Sequence, residues 1–517
     1  MSDKTFPVLE GAPYFNFELR QFLIEGSHSI IPSKPIEVAG TRQLLMDKHL
    51  VDSSWNLFRT VHQPDKHPSN PLIPGGLWES DGYRVEADCG CVMYDDELGR
   101  FRFWTILRDS NRKRWDADSV HVYWESEDGV RWTKPELGIV EFEGSKANNV
   151  IQAGAGLIYG GLSVIKTPPR LASKGRFAMV YGLSREHFLP GLHHGMETRI
   201  AWSPDGLHWQ DQPENPIIAG RNDTFVNMVY DPERDVFMQY RRATVNSHEV
   251  RRMACSESRD LVSWTQPEVI FDADELDAPM LYDFSVNRYE GIYIGFLHSL
   301  YGTNAGYKTG ARIWKDGRIE KDHHVDVQLA WSRDGKHWER HPQRPIFLEN
   351  GILTAETKYD WGMVFACQGI IEKDDRLHLY YRGDSNLHMT MKPGQVGNFC
   401  LATLRKDGFV SLGTPEKAIG PGYMLTRPLL CPGGRLHVNA RTRKDGLIRV
   451  AVRDGDGVRD GCWLEGWNFE DGQPFSGDSI DALVQWKGKK SFNALKGQAV
   501  RLHFWLQDAE LFSFWFE

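Results

Sequence analysis

One short pattern recurs along this chain and restricts what it can fold into. It reads Ser126-Glu-Asp-Gly-Val-Arg-Trp132, Ser203-Pro-Asp-Gly-Leu-His-Trp209 and Ser332-Arg-Asp-Gly-Lys-His-Trp338, with a related form in Ser256-Glu-Ser-Arg-Asp-Leu-Val-Ser-Trp264. Arg405-Lys-Asp-Gly-Phe409 is a weaker fifth copy, with Phe in place of Trp. In each, a Ser or Asp side chain folds back on its own backbone, Gly accepts positive φ, and the Trp packs beneath the turn. Four close matches at intervals of 55 to 77 residues mark a repeat, and a repeat dictates the fold.

The stretches between these turns have strand length. The first copy runs from Asp81 to Trp132 through Val85–Tyr94, Phe101–Ile106 and Val120–Trp124. The second spans about Asn148 to Trp209 and the third Asp223 to Trp264; the fourth begins at Tyr282 and closes at Trp338, and the fifth runs from about Glu356 to Phe409. Most of these runs are rich in β-branched and aromatic residues, and no convincing amphipathic helix separates them. Three or four strands per unit, five times over, predict a five-bladed β-propeller. From about Gly413 the marked turns stop and strands split by Asp-Gly and Gly-Lys turns follow, as in a β-sandwich. The expected all-β chain therefore divides into an N-terminal arm over 1–42, a propeller over 43–412 and a sandwich over 413–517. A chain of 517 residues exceeds the size at which one hydrophobic core stops growing, which suits this division.

A net charge of −9 leaves no basic footprint for nucleic acid. Met1-Ser-Asp-Lys-Thr-Phe-Pro lacks the basic start and apolar core of a secretory signal, and no apolar run reaches membrane-spanning length. The expected location is cytoplasmic, or periplasmic or secreted if a signal has been removed. Seven cysteines, an odd number, do not read as a disulfide framework. Cys89 and Cys91 share one face of a strand and read as buried thiols rather than metal ligands. His193-His194 and His323-His324 read as loop histidines, because adjacent side chains on an extended segment point to opposite faces. No metal ligand set and no organic cofactor is expected, and a structural cation on the axis stays open. No phosphate loop or nucleophile elbow occurs.

Repeats that open on an acid, Trp-terminated Asp-Gly turns and a trailing sandwich together resemble the five-bladed propeller glycoside hydrolases, the group of fructosidases and of arabinan- and xylan-cleaving enzymes. The chain is similar to bacterial proteins described as related to glycosyl hydrolase family 32. The likeness lies in Leu44-Leu-Met-Asp-Lys-His-Leu-Val51, in His62-Gln-Pro with its following Asn-Pro, and in Leu495-Lys-Gly-Gln-Ala-Val-Arg-Leu-His-Phe504 before Asp508-Ala-Glu-Leu-Phe-Ser-Phe514. It covers the chain from about residue 43 and is mostly architectural; a fold alone does not assign chemistry.

Glycoside cleavage needs two carboxyls across the scissile bond, one protonated and one ionised. In a propeller the innermost strands begin near the axis, so acids at those starts can converge from distant positions. Here they are Asp81, Glu86 and Asp88 in the first repeat, Asp223 in the third, Asp283 in the fourth, and Glu356 and Asp360 in the fifth. Asp223 and Asp283 share one register, eight and seven residues before the turn acids Asp231 and Glu290. The second repeat offers none, which departs from the Asp, Asp and Glu on the first three blades that the resemblance implies. The competing reading makes each acid a turn cap or ion-pair partner: Asp223 with Arg221, Asp283 with Arg288, Glu356 or Asp360 with Lys358 or Arg382. Tyr282, Trp361, His298, Asn227 and Arg242 are the candidate substrate contacts, supplying flat apolar faces and hydrogen-bonding groups, against blade packing as the plainer role. The expected activity is hydrolysis of a glycosidic bond, exo-acting on a terminal sugar, with a carbohydrate as the only expected partner. The rivals are a carbohydrate-binding propeller without turnover and a glycan phosphorylase. The sialidase group ranks last, having six blades and one more residue before the Gly.

Overall fold

The computed structural model describes residues 34–75, 83–109, 120–142, 144–152, 157–184, 196–218, 226–245, 250–277, 280–302, 311–313, 319–321, 323–352, 358–388, 397–416, 418, 420–455, 462–488 and 491–517, and within these a few side chains beside the gaps are left aside. The only helices among them are three short 3-10 turns. Two compact units emerge, one from residues 61–410 and one from 1–60 together with 411–517.

The first unit is a five-bladed β-propeller. Blade 1 is Tyr83–Asp95, Arg100–Asp109, Val120–Ser126 and Val150–Gln152; blade 2 is Leu157–Lys166, Phe177–Ser184, Met196–Ser203 and Gln210–Asp211. Blade 3 is Asn227–Asp231, Val236–Val245, Val250–Ser258 and Glu268–Phe271. Blade 4 is Met280–Tyr289, Ile292–Tyr301 and His324–Ser332, edged by Glu339–Arg340 and Ile346–Leu348. Blade 5 is Met363–Lys373, Arg376–Asp384 and Asn398–Arg405, completed by Asp65–Lys66 from the far end of the unit. Pairing within every blade is antiparallel. The five first strands touch in cyclic order, with the fifth returning to the first, so the ring is closed. Gln368 pairs in parallel with Cys91, so these two inner strands run in the same direction. Residues 148–152, which begin the second repeat in sequence, serve instead as the outer edge of blade 1, because Val150 pairs with Val122.

Buried polar groups tie the inner strands together. Met228 of blade 3 donates its N–H to Ser163 Oγ of blade 2 at 3.1 Å, and Gln368 of blade 5 donates to the Met228 carbonyl at 2.7 Å while its oxygen meets the Ser163 hydroxyl. Asn227 Oδ1 accepts the Val286 N–H at 2.9 Å, and Asn287 Oδ1 accepts the Gly369 N–H at 2.7 Å. Cys91 Sγ donates to the Val164 carbonyl at 3.2 Å. Gly369 has φ +125°, and a Cβ there would lie 2.2 Å from the Val92 carbonyl oxygen, so blades 5 and 1 meet closely only because this residue is glycine.

The recurring turns hook four of the blades to the one before. In the Asp205 turn, Ser203 Oγ accepts the Gly206 N–H at 2.8 Å and Asp205 Oδ1 accepts those of Leu207 and His208, both at 2.8 Å. The Asp128 and Asp334 turns repeat these bonds, and the Asp260 turn does so with Leu261 at φ 66° in the glycine position. The carbonyl at that position then accepts from the blade before: Gly206 from Trp104 Nε1 at 2.7 Å, Gly335 from the Tyr240 hydroxyl at 3.0 Å, and Gly129 from the Tyr380 hydroxyl of blade 5 at 2.8 Å. In the fifth copy Tyr289 of blade 4 reaches Asp407 itself, at 2.6 Å.

The second unit is a β-sandwich. Leu436–Asp454 and Ala499–Phe516 pair along nearly their whole length, with register shifts at Asn439/Ala440 and Thr442/Leu447. Such bulges bend and twist the strands. Leu436, Val438, Val450, Leu502, Phe504 and Leu506 fill the core. The division expected at residues 42 and 43 lies later. Gln43–Leu44 pairs with Ser513 and Phe514, Val51–Trp55 pairs with Gly422–Thr426, and Leu45 and Leu50 enter the sandwich core. Of the N-terminal arm, residues 1–33 lie outside the described residues; Ile36–Glu37 pairs in parallel with Leu429 and Leu430.

Burial opposes ionisation of Asp205, but the N–H and ring of His208, the Leu207 N–H and the Ser203 hydroxyl outweigh it and draw the carboxyl down to about 2. A carboxyl held below its unfolded value of about 3.9 stabilises the fold above that pH and loses its contribution as pH falls through the folded value. Urea denaturation should therefore show unfolding free energy falling between pH about 4 and about 2. In Asp205→Asn the fall should be shallower; an unchanged slope would contradict the hook's role.

Candidate active site

The leading end of the fourth inner strand gathers the chemistry. Leu281 stands opposite Ser299 and Asp283 opposite His298, so Tyr282 is the extra residue of a β-bulge. Bulges re-aim side chains, and they are frequent beside functional sites. Asp283 is buried, at 2% exposure, and its Oδ1 accepts the N–H of Phe284 at 2.9 Å.

Tyr282 is half-buried among groups from three blades. From blade 3, the Arg242 guanidinium lies 4.4 Å from its ring centroid and that of Arg251 lies 5.0 Å away, while Arg242 Nε donates to the Tyr282 carbonyl at 2.8 Å. Residues of blade 5 supply Phe365, with centroids 5.6 Å apart, and His388 follows that blade's second strand, its Nε2 lying 3.1 Å from the Tyr282 hydroxyl. The backbone N–H of His388 donates to the His323 carbonyl at 2.9 Å, which holds this segment of chain against blade 4. Burial, then the charges of Arg251, Arg242, His323 and Arg382, hold His388 down at about 3. The imidazole is therefore neutral near pH 7. Arg382 lies 5.3 Å from the Phe365 ring and pairs with the buried Asp384 at 2.5 Å. Two carboxylates, three guanidiniums, a neutral imidazole and two aromatic rings thus share one neighbourhood. That combination can bind a polyhydroxylated ring and move a proton at a buried carboxylate.

The sequence-derived residues divide as follows. Asp81, Asp223 and Glu356 lie outside the described residues, as do the side chains of Glu86 and Asp88, whose backbone forms part of the first inner strand. Asp360 is fully buried, and its Oδ2 accepts from Lys66 Nζ at 2.6 Å and the Tyr381 hydroxyl at 2.9 Å. Lys66 sits on the outermost strand of blade 5, so Asp360 joins that strand to the blade; the partner is Lys66 rather than Lys358 or Arg382. His298 is fully buried, its Nε2 accepts the Ala366 N–H at 3.0 Å, and burial pushes it down to about 3. Asn227 has no exposed surface, and its Oδ1 accepts the cross-blade bond from Val286. These three hold the scaffold, whereas Tyr282, Asp283 and Arg242 lie together, and Trp361 is buried at the head of the fifth inner strand.

Arg251, Asp384 and His388 escaped the sequence reading because no repeat register marks their places, and Arg382 entered it only as an ion-pair alternative. Of the His323-His324 pair, His323 takes φ 63° and His324 stacks on Tyr301 at 4.4 Å. Among the described residues no group of three or more His, Cys, Asp or Glu is arranged to hold a metal ion, and no helix is long and apolar enough to cross a membrane. Cys91, Cys255, Cys400 and Cys431 are buried free thiols, Cys462 is an exposed one, and the side chain of Cys89 lies outside the described residues. Two surface clefts, one along Arg234, Glu257 and Asp260 and one along Arg100, Glu125 and Asp128, repeat the same marked turn in blades 3 and 1 and so belong to the architecture.

No family model matches the chain, and no curated protein matches it. Among solved structures it is similar to an N-acetylgalactosamine deacetylase from F. plautii in complex with blood group B trisaccharide, with TM-score 0.46 and 14% identity over 68% of this chain and 96% of that one. A Bombyx mori GH32 β-fructofuranosidase aligns with TM-score 0.41 and 10% identity over 87% of this chain and 95% of that one. A member of the GH130 family of mannoside phosphorylases and hydrolases aligns with TM-score 0.40 and 12% identity over 67% and 94%.

Replacing Asp360 by Ala should lower unfolding free energy by about 1–3 kcal/mol, the cost of leaving a buried partner unsatisfied, while kcat on any glycoside that the protein cleaves stays within about twofold. Chemical denaturation and initial rates check this. A stable, inactive variant would return Asp360 to the catalytic set.

Proposed function

We propose that this protein hydrolyses a glycosidic bond at one end of its propeller axis, acting on a terminal sugar, with a furanoside such as a fructoside or arabinoside favoured. The observation that carries the reading is the bulge at Tyr282-Asp283: a buried carboxylate beside a re-aimed tyrosine, at the leading end of an inner strand in a closed five-membered ring. The half-buried tyrosine, packed against the buried Phe365, would offer a flat face to a sugar, with Arg242, Arg251 and His388 around it as hydrogen-bonding groups. Asp283 and an acid of the first or third blade, Asp223 before the others, form the proposed carboxyl pair. One, protonated, donates its proton to the leaving-group oxygen as the glycosidic bond breaks, and the other, ionised, attacks the anomeric carbon or takes a proton from the attacking water. A pocket enclosed by five blades favours a chain end over a mid-chain cleft.

A second reading has an observation of its own. Arg242, Arg251 and Arg382 all act on His388 as positive charges, and such a field suits an anion beside a single general acid. Phosphate in place of water would make the enzyme a glycan phosphorylase.

Assay on a panel of aryl and natural glycosides, with and without inorganic phosphate, separates the two. Hydrolysis without phosphate is expected, and Asp283→Asn and Asp223→Asn should each lower kcat by about 10²–10⁴-fold, the usual weight of a positioned acid or base. Turnover only with phosphate would establish the second reading, and full turnover in both variants would overturn the site.

A further inference from the structure

The sandwich unit carries an aromatic face of its own. Trp55, Tyr423 and Trp505 stand directly opposite one another on three consecutive strands, with successive ring centroids 6.3 Å and 6.0 Å apart. His503, two residues before Trp505, lies on the same face by strand alternation, 5.8 Å from Tyr423. It stacks on Trp463 at 5.6 Å and 20°, and Phe469 closes the gap at 5.0 Å from His503 and 5.7 Å from Trp505. The core lies on the opposite face, where Met424, Phe504 and Leu506 are fully buried, so these six rings are surplus to it. Trp55 remains 65% exposed and Trp463 44%.

A contiguous exposed aromatic surface marks an interaction site, and its chemistry narrows the ligand. Protein-binding patches have charge-depleted cores. Here a guanidinium sits among the rings instead: Arg453 lies 4.0 Å from the Trp463 ring centroid and donates to His503 Nδ1 at 3.0 Å. Flat apolar rings beside fixed donors match a sugar, which has a C–H face and a hydroxyl edge and so needs both kinds of contact at once. The backing is rigid, since the face is built on the two longest strands of the unit and their neighbours.

We propose that this face is a non-catalytic binding site for a neutral polysaccharide chain, held by stacking on Trp55, Tyr423, Trp505 and Trp463. The choice of a glycan as ligand class rests on the carbohydrate reading of the propeller; the rings and their exposure do not.

The test is affinity electrophoresis of the full-length protein in gels containing arabinan, xylan, inulin or mannan. Retardation is expected in at least one. The double variant Trp55→Ala/Trp463→Ala should bind at least about tenfold more weakly, as expected when two aromatic anchors are lost, with unchanged circular dichroism and unchanged turnover of small soluble glycosides. Asp283→Asn should be retarded like the wild type. No retardation in any of the four gels, or equal retardation of the tryptophan variant, overturns the proposal. Retardation lost in Asp283→Asn but kept in the tryptophan variant also overturns it, by placing the binding in the propeller. Tryptophan-dependent retardation in a protein that turns over no glycoside would sustain this site while removing the catalytic reading.

Discussion

The propeller depends on a small set of buried hydrogen bonds at its axis. Ser163, Asn227, Asn287 and Gln368 come from four blades, and each satisfies a backbone or side-chain group of another. A buried amide oxygen without a partner costs about 1–3 kcal/mol, so the set rewards a single mutual arrangement of the inner strands and penalises slippage by one residue. Because the strands are locked there, their leading ends are held in place as well, and Tyr282 and Asp283 inherit a fixed position relative to Arg242 and Phe365. The axis is thus a scaffold for the site.

The outer ring is fastened by different means. Three marked turns satisfy themselves through their Asp and Ser and then present a carbonyl to an aromatic donor of the preceding blade, the fifth copy takes Tyr289 on Asp407, and the strand Asp65–Lys66 closes the circle on blade 5 with an ion pair to the buried Asp360. The two fastenings act at different places, and the leading ends of the inner strands carry polar and charged groups beyond those the fastenings use.

What could be read from the chain follows from this division. The turns were legible because their chemistry is local: Ser, Asp, Gly and Trp lie within seven residues and satisfy one another. From them the five blades and the all-β class followed. Contacts between blades left no such trace. Asn227 and His298 looked like sugar ligands because nothing in sequence reveals that Val286 and Ala366 donate to them. Asp360 looked catalytic because its partner, Lys66, is almost 300 residues away. The strands before residue 60 resembled the start of the propeller, but Leu45 and Leu50 are drawn into the sandwich core by partners after residue 411. Tyr282 and Asp283 were named because they stand where an inner strand starts, and Arg242 for its hydrogen-bonding side chain; Arg251, Asp384 and His388 had no such mark, and Arg382 was read only as an ion-pair alternative, since what gathers these groups is proximity alone.

The proposed sugar chemistry has a single place, where the bulged fourth inner strand brings Tyr282 and Asp283 beside the arginines of blade 3. A crystal structure of the protein soaked with the sugar released by its preferred glycoside tests this most directly. The account predicts a sugar ring against Tyr282 with a ring or leaving-group oxygen within hydrogen-bonding reach of Asp283. A sugar found in the propeller only on an outer blade surface, with Tyr282 and Asp283 untouched, would contradict it.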